Sequence, residues 1–510
     1  MSTDIEKNAV STSRSISVDN DPNNHASLNS KNGGDVQTVQ IDKAVERSYL
    51  RKLDFHLLPF LSVMYLFNSV DRSNLANAKT DGFDVDMNFT GNQYSLLLLL
   101  FYIPNGLCDL PLNLLTKRFS GRITLPSMML AWGGLSMIQT GCANFGGMLV
   151  VRLLIGFFEA GFFAGTVFYL TLFYNRNELG FRIALYFGSA VLAAAFSGIL
   201  AYGVFQINDT SIKGWQYLFI IEGGMTVLIA LVGYYWLPGT PQDARWLTDA
   251  EKEVARARAL RDGSRVVGEE FNLTLAFQQW KDPKMIIWSI IAFTYTNPFT
   301  TSANFLPQIV QRLGYNVVKT NLMTVPPNLV GFVVLLIVTW SSDHFRERTF
   351  HICFALTLSL IATIILATID VTKDRNKGVA YFAMFLLASG AYIPSCLVQS
   401  WHNNNNPSEN ARAATTGILV GLGNLGGVLS SATFRVEYAP RYVPTLAATA
   451  ACAGTCIVVT LGFGLWMKSE NRRRDREQGI VVGLRAEEDV DVDTEMLRDG
   501  EGSLSWRWFT

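Results

Sequence analysis

Long apolar stretches separated by short polar turns recur from residue 55 to residue 467. A charge-poor window of about 20 residues is long enough to cross a bilayer as a helix. Twelve such helices are predicted, at 55–77, 92–116, 123–142, 147–173, 181–204, 216–237, 284–306, 320–341, 350–369, 379–400, 412–434 and 443–467. The apolar pattern breaks between 238 and 283, which divides the helices into two groups of six. The expected organisation is a polar tail (1–45), a six-helix bundle (46–237), a central loop (238–283), a second six-helix bundle (284–467) and a second tail (468–510). Two parallel repeats of this kind are the sequence form of a transporter whose site lies between them near the midplane.

Charge fixes the orientation. Lys43, Arg47, Arg51 and Lys52 precede the first span, Lys117, Arg118 and Arg122 follow the second, and Arg176 and Arg182 follow the fourth. Lys and Arg favour the cytoplasmic side, so both termini are expected there. In the first half the outer loops offer only Lys79 and Lys213; in the second half the pattern is weaker, because Lys373, Arg375 and Lys377 fall in a loop counted as outside. The first 45 residues are polar and expected to be disordered, as is the acidic end beyond the basic run at Arg472, Arg473, Arg474 and Arg476. In the central loop Pro238 and Pro241 end the sixth helix, and Thr248 to Glu251 reads as a capping box opening a charged helix on the cytoplasmic face.

Composition agrees with a polytopic membrane protein: 49% of residues are hydrophobic and mean hydropathy is +0.22. A net charge of zero gives no indication of a nucleic-acid partner. The six cysteines lie in or beside spans without paired spacing, so free thiols are expected. No Walker loop, dinucleotide fingerprint, HExxH or metal-spaced Cys/His set occurs. The reading is therefore a non-enzymatic protein with no cofactor and no metal, whose work draws on an ion gradient.

Charges inside spans are the candidate chemistry, because they are expensive in a bilayer and mark substrate or proton paths. The fourth span holds RLLIGFFEAGFFAG, with Arg152 and Glu159 two helical turns apart among small residues. The first span ends in LFNSVDRSNLANA, bringing Asn68, Asp71 and Arg72 to its outer half. Opposite helix directions put Arg72, Arg152 and Glu159 within reach of one cavity. The competing readings are a structural ion pair for Arg152 and Glu159 and a gate pair for Asp71 and Arg72. In the seventh span Asn297, Thr300 and Asn304 share one face, expected to look into the cavity. Pro326 and Pro327 are expected to kink the eighth helix, and the glycines of GILVGLGNLGG to serve close helix packing. The turns LTKRFSGR (Lys117, Arg118, Arg122) and SSDHFRER (Asp343, Arg346) hold corresponding places in the two halves. They read as charged latches or as topology signals.

These motifs resemble a known family. VDRSNLANA, RLLIGFFEAGFF, GWQYLFIIEG, LPGTPQDARWLTDAEK, LMTVPP, and GNLGG followed by APRYVP are similar to the anion:cation symporters of the major facilitator superfamily. The similarity is narrowest to the fungal allantoate-permease branch, with its carriers of nicotinate, pantothenate, biotin and allantoate. It runs from about residue 45 to 470. The resemblance implies an all-α major facilitator fold of twelve transmembrane helices, alternating access, and proton-coupled import of a small organic anion. It also implies roles in anion binding and coupling for an arginine late in the first helix and for the Arg/Glu pair of the fourth, here Arg72, Arg152 and Glu159. Two departures stand out. Thr116 and Lys117 replace the aspartate-bearing part of the superfamily's GxLaDRxGRR loop, and the seventh helix lacks the basic residue some members carry.

The leading expectation is a monomeric symporter of the plasma membrane for a nicotinate-like carboxylate. Arg72 and Arg152 meet the substrate anion, since arginine suits bidentate carboxylate recognition, and Glu159 carries the proton. An exporter of a fungal secondary metabolite by proton antiport and a transporter-like nutrient sensor are the alternatives.

Overall fold

The computed structural model describes residues 42–478 and 506–510, apart from 91–92, 176–177, 206, 208–211, 262–271, 312, 314–316, 371–373, 407, 434–437 and 439–440. The readings for the tail before residue 42, and for Arg176 and Lys373, fall outside the described residues. Among the described residues all regular structure is helical.

The first half comprises α1 (Lys43–His56), α2 (Leu58–Thr80), α3 (Phe83–Asp86), α4 (Gln93–Phe119), α5 (Gly121–Ile138), α6 (Phe145–Glu159), α7 (Phe162–Leu170), α8 (Leu179–Val204) and α9 (Gly214–Trp236). Between the halves lie α10 (Asp249–Arg261) and α11 (Leu273–Gln278). The second half comprises α12 (Lys284–Gln311), α13 (Val317–His344), α14 (Thr349–Thr368), α15 (Asp374–Ala391), α16 (Ile393–Asn404), α17 (Glu409–Thr433) and α18 (Val443–Glu477). Each of the twelve predicted spans corresponds to one helix or to a broken pair. Eight spans among the described residues are long and apolar enough to cross a membrane.

The structure departs from the expected single helices in two passes. The fourth is interrupted at Ala160–Gly161, where Gly161 takes a left-handed φ of 73°. The tenth is interrupted between α15 and α16, with Pro394 in the first turn of α16. The eighth runs through Pro326 and Pro327 as one helix. The twelfth continues to Glu477, ten residues beyond its apolar stretch, because Glu470 pairs with Arg473 and Arg474 at helical spacing.

In the first half α5 packs on α9, and α2 on α8 and α9; in the second, α12 packs on α17 and α18, and α14 on α15 and α18. The halves meet where α4 lies against α17 and where α8 lies against α13 and α16. Small residues allow the first approach. A Cβ on Gly106 of α4 would sit 3.2 Å from the carbonyl oxygen of Gly421 on α17.

The central helix is anchored by its few buried charges. Thr248 N donates to Glu251 Oε2 at 2.8 Å, as the capping box requires. The same carboxylate accepts from Ser48 Oγ (2.7 Å) and Lys52 Nζ (2.8 Å) on α1. Arg258 donates to Glu46 of α1 and, at 2.6 Å, to Glu178 beside α8. Thus α10 ties α1 to the junction between the fourth and fifth passes.

The chain end corrects the sequence reading. Residues 506–510, expected to be disordered with the rest of the tail, are seated on the second half, with Trp506 and Trp508 buried in the main apolar core.

Candidate functional site

Four helices of the first half place the candidate charges together. Arg72, in the C-terminal half of α2, donates from Nε to Glu159 Oε1 at the last residue of α6. The pair is asymmetric: the Arg72 side chain is 36% accessible and that of Glu159 1%. The carboxylate is therefore enclosed, while the arginine side chain keeps part of its surface accessible. Asn68, one turn before Arg72, is buried beside Glu159.

Asp71 does not pair with Arg72. It points to a different side of α2 and accepts from Trp132 Nε1 (3.1 Å) and Thr226 Oγ1 (3.0 Å). The gate-pair expectation for these two neighbours is thereby corrected, since adjacent helical residues diverge by about 100°. Arg152 is buried, lies over the Phe219 ring at 5.9 Å, and has Nε and Nη2 without a hydrogen-bond partner among the described residues. A buried, incompletely satisfied guanidinium is costly unless an anion completes it. Glu222 of α9 is also buried, near Asp71, and neither carboxylate oxygen has a hydrogen-bond partner among the described residues.

The break in the fourth pass positions Glu159. Leaving the helix at Ala160 frees the Gly161 N–H, which donates to Asp109 Oδ1 on α4 at 2.7 Å. The other oxygen of Asp109 accepts from Asn424 Nδ2 of α17 at 2.7 Å, and Asn424 also donates to Asn105 Oδ1 at 2.9 Å. One carboxylate thus holds the Glu159 turn and reaches the second half.

Rings of the first half, Tyr65, Phe163, Tyr186 and Phe187, run towards Phe299 and Tyr392 of the second. Tyr65 stacks on Tyr186 with centroids 4.5 Å apart, Phe163 lies 5.7 Å from Tyr65, and Phe187 lies 5.6 Å from Phe299 and 6.5 Å from Tyr392. This ladder starts beside Arg72 and crosses between the halves. Sequence reasoning missed it, because aromatic residues in apolar spans carry no local mark of where they point.

The expected polar face of α12 is corrected for two of its members. Asn297 accepts from Thr449 Oγ1 at 3.0 Å and lies 3.5 Å from the Gly426 carbonyl, while Thr300 bonds back to the Thr296 carbonyl at 2.9 Å. Their polar groups serve helix packing against α17 and α18. The side chain of Asn304 is outside those described.

At the loop end, Asp343 Oδ2 accepts from Phe181 N of α8 at 2.6 Å, a link between halves. Its cationic partner is Arg348, whereas Arg346 is exposed with a left-handed φ of 52°. Lys117 and Arg118 close α4, Arg118 over the Phe119 ring at 5.4 Å, and Arg122 opens α5 beside Tyr169. Asn113 of α4, unremarked in the sequence, donates to the Ala413 carbonyl of α17 at 2.6 Å. A separate cleft of about 450 Å³ between α12 and α17, lined by Trp280, Ile286, Phe293 and Leu422 among others, contains no charged residue.

Comparison with known proteins agrees with this architecture. The family model described as Major Facilitator Superfamily matches residues 61–431. The chain is 58% identical to the "Major facilitator-type transporter hxnP" of Emericella nidulans, over 92% of this chain and 94% of that protein. It is 50% identical to the "MFS-type transporter efuF" of Hormonema carpetanum, over 93% and 94%. Among solved structures it is similar to the proton:xylose symporter XylE, with TM-score 0.64 at 14% identity over 82% of this chain and 95% of that one. The E. coli fucose:proton symporter FucP matches with TM-score 0.54 at 13% identity, over 79% and 98%. At such identities the two symporters speak to fold alone.

Proposed function

The chain belongs to the major facilitator superfamily and is a membrane transporter of that type, and we propose that it imports a small organic anion together with protons. A nicotinate-like or other vitamin-like carboxylate is the leading substrate, as in the allantoate-permease branch whose motifs the chain carries. The observation that carries the reading is the ion pair between accessible Arg72 and enclosed Glu159.

A substrate carboxylate reaching Arg72 competes with Glu159 for the guanidinium. Once Arg72 turns to the substrate, Glu159 would be an uncompensated buried anion, which is avoided by taking up a proton. The site then holds one added anion and one added proton, so its net charge is unchanged and the loaded protein can reorient. Arg152 supplies donors for a second oxygen or stabilises the empty pair. The ladder from Tyr65 to Tyr392 offers stacking faces to a flat ring, which favours an aromatic acid over an aliphatic one. The two groups of six helices, 46–237 and 284–467, rock about this site at the plasma membrane, with both termini in the cytoplasm and a single chain sufficing.

The test is uptake of labelled nicotinate by cells expressing the chain, at acidic and neutral outside pH, with and without a proton uncoupler. Unlabelled pantothenate, biotin and allantoate serve as competitors. Saturable, acid-stimulated uptake abolished by the uncoupler is expected. Absence of uptake of every one of these from protein shown to be at the cell surface would overturn the import reading.

A further inference from the structure

We propose that residues 506–510, Trp-Arg-Trp-Phe-Thr, are an intramolecular ligand of the second half and hold closed the contact between halves at the Asp343 turn. Two asparagine side chains grip the tail backbone. Asn405, just after α16, accepts from Phe509 N at 2.7 Å and donates to the Phe509 carbonyl at 2.9 Å. Asn471 of α18 accepts from Trp508 N at 2.8 Å and donates to the Trp508 carbonyl at 2.7 Å. Each amide thus pairs with one residue's donor and acceptor, as a neighbouring strand does. Trp401 Nε1 adds a bond to the Phe509 carbonyl at 2.8 Å.

Side chains add selectivity for an aromatic and basic sequence. The Lys284 ammonium lies 4.3 Å from the centre of a Trp508 ring, and Arg507 donates to Asp475 at 2.8 Å and to Gln478 at 2.6 Å. The extension of α18 past the apolar span builds this platform, since Asn471, Asp475 and Gln478 all lie beyond residue 467.

The tail reaches the interface through Arg348. Arg348 N donates to the Thr510 carbonyl at 2.5 Å, and its guanidinium lies 5.1 Å from the Phe509 ring. The same guanidinium pairs with Asp343, whose second oxygen holds Phe181 N on the other half. Fit is tight here: a Cβ on Gly180 would lie 2.6 Å from Arg348 Nη1. A docked tail fixes Arg348, Arg348 fixes Asp343, and Asp343 ties α8 to α13. Undocking loosens the last link, so this face of the transporter opens more readily. The inference is independent of what the transporter carries.

Hydrogen–deuterium exchange on the purified full-length chain tests it without substrate. The comparison proteins are a chain ending at residue 505 and the double variant Asn405→Ala/Asn471→Ala, which keeps the tail but removes its clamps. Peptides covering 179–184 and 341–350 are expected to exchange roughly 10-fold faster in both, the scale of losing one or two hydrogen bonds. Excess synthetic Trp-Arg-Trp-Phe-Thr should return the shortened chain to the full-length rate. If the shortened chain does not fold, the double variant decides alone. Unchanged exchange in both peptides, or Trp508 and Phe509 amides exchanging at unstructured rates in the intact protein, would overturn the proposal.

Discussion

Arg72 on α2 and Glu159 at the end of α6, 87 residues apart, form an ion pair that joins the first pass to the fourth. In the proposed cycle the substrate anion replaces this carboxylate on the guanidinium. Glu159→Gln leaves Arg72 open to substrate but removes the proton carrier. We expect counterflow exchange of labelled for unlabelled substrate to persist in vesicles and proton-driven accumulation to vanish. Full accumulation by this variant would remove Glu159 from the coupling step.

Arg152 offers buried nitrogens without hydrogen-bond partners among the described residues. Arg152→Lys keeps the charge but not the planar pair of donors. If Arg152 binds a substrate oxygen, the apparent KM rises roughly 10- to 100-fold, the equivalent of about 1.5–3 kcal/mol for a hydrogen bond to a charged group. A purely structural Arg152 would instead lower melting temperature and expression while sparing KM in the protein that remains.

Gly161 takes a φ that side chains rarely adopt, and an added Cβ would lie 2.6 Å from the Leu112 Cβ. Gly161→Ala should cost about 1–3 kcal/mol and also disturb the turn that presents Glu159. Gly224→Ala, where a Cβ meets nothing within 4 Å, is the control. Thermal melts should separate the two variants, and equal melting temperatures would show that the break after Glu159 is not constrained.

Glu251 couples acid stability to the central helix. Burial acts to raise its pKa, but Lys52, Thr248 N–H and Ser48 outweigh this and hold it down at about 2. A carboxylate so depressed contributes its full stability above the unfolded value of about 4.3 and loses it as pH falls towards 2. Glu251→Gln should therefore narrow the melting-temperature difference between neutral and acidic pH. An unaltered acid limb would mean that another group controls it.

The sequence by itself determined the number and order of the passes, because a helix must bury every backbone polar group where no water is available and this leaves runs of apolar residues. It also singled out Arg72, Arg152 and Glu159, since charge within such a run is rare enough to read directly. Tertiary structure decided the pairings. Whether Glu159 meets Arg152 on its own helix or Arg72 on another, whether Asp71 turns to Trp132 and Thr226, and whether Asn297 faces a cavity or α18 depend on rotation about helix axes, which an apolar span does not encode. The broken fourth pass was hidden because Gly161 needs Asp109, 52 residues earlier, to satisfy its freed N–H. The seated tail was hidden for the same reason: five residues carry no periodicity, and their order comes from Asn405, Asn471 and Arg348, brought together only by the packing of α16 and α18 beside the Asp343 turn.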